Sequence, residues 1–118
     1  MSYVVGFLLP VPTKKLGAYK KLAQQAGKVW LEHGALEYLE CIGDDLDSPM
    51  GLPFPKAMKL KKGETAVFAW VRYKSKKHHD QVNAKVMADE RMQVAPKDMP
   101  FDPKRMSFGG FKVLVEKR

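Results

Sequence analysis

The chain has 118 residues, 45% of them apolar and 29% charged, with a formal net charge of +8; these are the proportions of one ordinary globular domain, too short to divide into two. A lone cysteine, Cys41, excludes an internal disulfide and a thiolate-rich metal cage and points to a reducing compartment. No apolar run approaches the roughly 18 residues needed to span a bilayer, and the N-terminus opens as a strand instead of a basic leader, so a cytoplasmic location is expected.

Tyr3 to Val11 is apolar almost without a break, which predicts a strand hidden on both faces. After Pro12, Thr13 is placed to cap a helix whose apolar members Leu16, Tyr19, Leu22, Ala23, Ala26, Val29 and Trp30 recur at steps of three and four. Gly34 supplies the left-handed stop, so the helix should end near Glu32 or His33.

Ala35 to Ile42 reads as a second strand, with Leu36, Tyr38 and Glu40 on one side and Glu37, Leu39 and Cys41 on the other, ended by Gly43-Asp44-Asp45. Prolines and glycines from Asp47 to Gly63 predict an irregular loop. Glu64 to Tyr73 is a strand with Phe68 and Trp70 on one face and Val67, Ala69, Val71 and Tyr73 on the other. Ser75 should cap a weakly amphipathic helix running to about Met92, with Val82, Val86 and Met87 toward the core. Pro96 to Pro103 is extended loop, and Met106 to Glu116 is a strand with a bulge at Gly109-Gly110.

The order β-α-β-β-α-β predicts an α+β, ferredoxin-like antiparallel sheet with two helices on one face. With apolar residues on both sides of the strands, the bare face would expose more greasy surface than a monomer tolerates. Pairing two sheets face to face hides it; at about 25 cal/mol per Å² this supplies on the order of 10 kcal/mol before association costs. A homodimer through the open sheet face is expected.

Glu32-His33-Gly34-Ala35, Gly43-Asp44-Asp45, Phe68-Ala69-Trp70, the segment Met99 to Met106 and Gly109-Gly110-Phe111 together resemble the YbaA-like family of uncharacterised bacterial proteins, over nearly the whole chain. Tyr3, Gly6, Pro10-Val11-Pro12, Asn83, Lys85 and Met87 also stand where that family has them, whereas His78-His79 precede Asp80 where relatives tend to have arginine. The family is similar to the dimeric α+β barrel superfamily, and the resemblance implies the same paired-sheet dimer. That superfamily includes cofactor-free monooxygenases, haem-degrading enzymes, dye peroxidases and stress proteins, an analogy of fold alone.

Candidate chemistry centres on His33. At the end of the first helix, beside Glu32, it can act as a base, or simply satisfy the last free carbonyls. Arg105 can pair with Asp44, Asp45 or Glu32. Asn83, if it faces the sheet, is a structural clasp or a pocket donor, and Phe68 with Trp70 can wall an apolar cavity or serve as plain core. Asp44 and Asp45 supply too little of a cation shell, and His78 and His79, about 100° apart on a helix, cannot chelate one ion. No metal or cofactor is expected.

These candidates suggest binding or cofactor-free oxidation of a small aromatic or quinone-like molecule. A non-catalytic stress or interaction protein is the alternative. RNA binding rests on the basic charge and on Phe108-Gly109-Gly110-Phe111, which would have to lie on an open face, where the partner subunit is expected.

Overall fold

The computed structural model describes residues 2–118. Four strands, β1 (Tyr3–Pro12), β2 (Glu37–Ile42), β3 (Glu64–Tyr73) and β4 (Ser107–Lys112), form one antiparallel sheet in the order β2-β3-β1-β4. Two long helices, α1 (Leu16–Glu32) and α3 (Lys76–Ala88), cover one face, and a short helix α2 (Phe54–Ala57) interrupts the loop between β2 and β3. This is the ferredoxin-like arrangement expected from the element order.

Odd-numbered residues of β1 and β3 point toward the helices. Val5, Leu9, Val11, Val67, Val71 and Tyr73 are buried there, beneath Val29 and Trp30 of α1 and Val82 and Val86 of α3. The Trp30 indole N–H donates to the Tyr73 hydroxyl at 2.8 Å, so the buried polar atoms of both rings are paired. Even-numbered residues lie on the open face, where Phe68 and Trp70 remain 46% and 40% exposed and meet edge to face at 6.0 Å.

Several boundaries differ from expectation, each for a physical reason. Thr13 does not cap α1: β1 and β3 are paired as far as Pro12 and Glu64, so Thr13 abuts Gly63 and gives both its N–H and its hydroxyl to that carbonyl. The helix begins after a single 3-10 turn, Thr13–Lys15. Ser75 does cap α3, accepting from the His78 N–H at 3.1 Å, but the helix stops at Ala88. Asp89 there turns extended and caps a new 3-10 turn, Glu90–Met92. Met87 lies on the outer side of α3 and is 52% exposed.

Gly109 and Gly110 form no bulge. They stand opposite Gly6 and Val5 in an unbroken register. Their smallness serves the neighbours instead: a Cβ on Gly110 would fall within 1.9 Å of the Tyr3 hydroxyl, because the Tyr3 ring lies across that position.

Candidate functional site

The structure distributes the predicted site residues over three places. His33 ends α1, as expected, but its Nε2 lies 2.9 Å from Asp89 Oδ2 and not against Glu32. Glu32 instead accepts from Arg91 at 2.7 Å, and Arg91 also donates to both Asp89 oxygens. The four side chains form one chain of contacts that ties the end of α1 to the segment after α3. Arg91, with His33 second, holds the Asp89 carboxyl far below the usual carboxylate range, and Arg91 likewise lowers Glu32.

Arg105 turns away from Asp44, Asp45 and Glu32. It grips Glu64 through two parallel bonds of 2.5 and 3.0 Å and the Lys59 carbonyl at 3.0 Å, thereby fastening the 93–106 segment to the start of β3. Asp44 and Asp45 are exposed beyond the end of β2. Asn83 is half-buried on α3. Phe68 and Trp70 face the open side of the sheet, where the Trp70 indole donates to Glu37 at 2.8 Å. His78 and His79 are packed against the Tyr73 ring, not simply solvated.

The space that a small molecule can enter is elsewhere. A cavity of about 180 Å³ lies between the sheet, the Tyr19–Trp30 stretch of α1 and the 91–106 segment, with Phe7 and Leu9 from the sheet, Ala23 from the helix and Met99, Phe101 and Met106 from the segment among its walls. None of His33, Asn83, Arg105, Phe68 or Trp70 lines it, while Arg91 reaches its wall.

One charged group of the sheet projects into this apolar space. Glu40, on the helix-facing side of β2, accepts the Tyr19 hydroxyl of α1 at 2.6 Å on one oxygen and the Tyr38 hydroxyl on the other. Gly27 makes the second contact possible, since a Cβ there would come within 2.8 Å of the Tyr38 ring. Burial, and after it the hydrogen bond to Glu40, pushes both tyrosine hydroxyls far above their ordinary value; burial pushes Tyr73 up to about 12. Both phenols therefore stay neutral donors, which keeps them committed to the carboxylate. A wider groove of about 640 Å³ opens on the other flank of the same cluster, between α1 and the edge strand β2.

Sequence reasoning placed Tyr19 in the apolar stripe of α1 and Tyr38 and Glu40 on one side of β2, yet did not single them out. The available signal was an acid on the core-facing side of a strand, which must find partners when covered. Among the described residues, no group of three or more His, Cys, Asp or Glu is placed to hold a metal ion, and no helix is long and apolar enough to cross a membrane.

Phe108 and Phe111 lie on opposite faces of the sheet. Phe108 stands opposite Phe7 and stacks on it at 5.9 Å, whereas Phe111 stands opposite Val4. They form no common aromatic platform of the kind that single-stranded RNA uses.

Among solved structures, the chain is similar to an uncharacterised NIPSNAP domain protein from Burkholderia xenovorans, with TM-score 0.57, 13% identity and 98% of each chain covered. It is equally similar to a dimeric ferredoxin-like protein from an uncultured marine organism, with TM-score 0.57, 11% identity and coverage of 99% and 100%. At such identities the likeness is one of fold. In sequence it is 40% identical over 116 residues to the uncharacterised protein YbaA of Escherichia coli strain K12, covering 98% of this chain and 99% of that protein, with the same figures for YbaA of Shigella flexneri. The family described as a protein of unknown function (DUF1428) matches residues 2–103, and the chain belongs to that YbaA-containing family.

Proposed function

We propose that the protein is a single-domain cytoplasmic homodimer that binds a small aromatic molecule carrying a hydrogen-bond donor, such as a phenol or hydroquinone, in the cavity beside Glu40. The observation that carries this reading is the Glu40 carboxylate, held by two tyrosine hydroxyls at the edge of an apolar space. Ligand pockets of this kind combine apolar walls with a few fixed polar groups.

A volume of about 180 Å³ suits a molecule of one ring. The hydroxyl hydrogens of Tyr19 and Tyr38 are already given to Glu40, so the cluster offers acceptors, which favours a phenol or quinol over a quinone. In this reading Glu40 takes the place of His33 as the group facing the ligand's polar end. Homodimerisation is supported by the exposed rings of Phe68, Trp70 and Phe111 on the open face and by the dimeric ferredoxin-like neighbour.

The test is a titration with phenol, followed by NMR on protein carrying ¹³C-methyl methionine. The expected result is saturable shifts at Met99 and Met106, on the cavity wall, with Met50 and Met87 unmoved. Absence of any saturable shift, or equal shifts at all methionines, would overturn the reading.

A further inference from the structure

Glu40 is a negative charge with no cationic partner. Among the described residues its hydrogen-bond partners are Tyr19 and Tyr38 alone, and none of the ion pairs includes it. Arg91, on the cavity wall, is committed to Asp89 and Glu32. Lys20 and Lys28 line the groove on the other flank, yet neither forms an ion pair with the carboxylate. Glu40 is half-buried, and the two hydroxyls that hold it occupy only part of its accepting capacity, leaving lone pairs for a further donor from the cavity.

The surroundings supply what a cation would use. Both tyrosine hydrogens point at Glu40, so the polar atoms of the cluster present lone pairs. Tyr19 and Phe101 meet edge to face at 5.7 Å at the cavity wall, with Trp30 further along it and Met99 and Met106 over it. Aromatic faces attract organic cations, and thioethers adapt to irregular apolar shapes.

We infer that, among the one-ring hydrogen-bond donors this cavity admits, it prefers a cationic one, a small aromatic ammonium ion whose charged nitrogen pairs with Glu40 while its hydrocarbon part lies among Tyr19, Phe101, Met99 and Met106. This inference rests on the cavity being a binding site, as proposed above, and adds the sign of the ligand's charge. The net charge of +8 opposes it only at long range, since exposed charges are screened beyond about 8 Å at physiological salt, whereas Glu40 acts at contact.

Three probes of one shape decide the matter at neutral pH: benzylamine, benzyl alcohol and benzoate, each titrated into the full chain with the methionine methyl readout. The expected order is benzylamine at least tenfold tighter than benzyl alcohol, with benzoate weakest, and Glu40→Gln should bring benzylamine down to the level of the alcohol. Equal binding of benzylamine and benzyl alcohol, or preference for benzoate, would overturn the charge assignment and leave the cavity reading standing. Failure of all three to shift Met99 and Met106 would overturn both. Should Glu40→Gln fail to fold, the order of the three probes on the unaltered protein decides alone.

Discussion

The hydroxyl of Tyr19 lies 2.6 Å from Glu40 Oε1, joining the first helix to an edge strand across 21 residues of sequence. Together with Tyr38 it holds a half-buried carboxylate on the helix-facing side of the sheet. Tyr19→Phe or Tyr38→Phe leaves one oxygen short of a donor, and each should cost about 1 kcal/mol, with both together costing more than a surface substitution could. Urea unfolding checks this; midpoints within error of the unaltered chain would show that water replaces the phenols without penalty.

Gly110 admits the Tyr3 ring. Gly110→Ala should destabilise the protein by about 1–3 kcal/mol through overpacking, since the new methyl would overlap the ring. The loss should be largely recovered in the double variant Tyr3→Ala/Gly110→Ala relative to Tyr3→Ala alone, a coupling that a thermal-unfolding cycle measures. Simple additivity would contradict the packing described.

Acid should loosen the 93–106 segment first. Arg105 lowers the Glu64 carboxyl below its ordinary value, and the Lys61 N–H adds to this. A carboxyl lowered by folding contributes stability that is fully present above its unfolded pKa, about 4.3, and is lost as the pH falls through its folded value. Asp89 and Glu32, lowered by Arg91, act in the same direction. Stability should therefore decline below about pH 4, and the decline should flatten in Arg105→Leu. Denaturant midpoints between pH 2 and 6 check this, and equal slopes for the two proteins would contradict it.

The open face gives a prediction about assembly. Phe68→Asp places a charge at the centre of the surface proposed to pair with a second copy and far from the helix-facing core. Sedimentation equilibrium at micromolar concentration should show a dimer for the unaltered chain and a folded monomer for the variant. An unaltered chain that sediments as a monomer would remove the paired-sheet arrangement.

Much of the fold was legible in sequence because its signals were local. β3 was predicted at its observed bounds, Glu64–Tyr73, since its alternation is strong and both ends carry turn residues. The stop of α1 at Gly34 was equally plain, and the glycine does adopt a φ of 111°. The errors came where a local pattern answers to a distant neighbour. Gly109-Gly110 looks like a bulge until Tyr3 is placed across it, and Thr13 looks like a cap until Gly63 arrives beside it.

The site was harder to read for the same reason. Arg105 was recognised as a pairing residue, but its partner Glu64 lies 41 residues away, and nothing in the spacing distinguishes it from Asp44 or Asp45. His33 drew attention as a histidine at a helix end, although its ring serves Asp89. Tyr19, Tyr38 and Glu40 each read as ordinary members of an amphipathic element. Only the crossing of α1 over β2 makes them a group.

The central claim, that the cavity beside Glu40 takes a one-ring molecule, is tested most directly by diffraction from crystals soaked in 4-bromophenol. An anomalous bromine peak should lie among Phe7, Phe101 and Met106 with the phenolic oxygen at hydrogen-bond distance from the Glu40 cluster. A peak found solely on the open sheet face near Phe68 and Trp70, or no peak in fully soaked crystals, would contradict it.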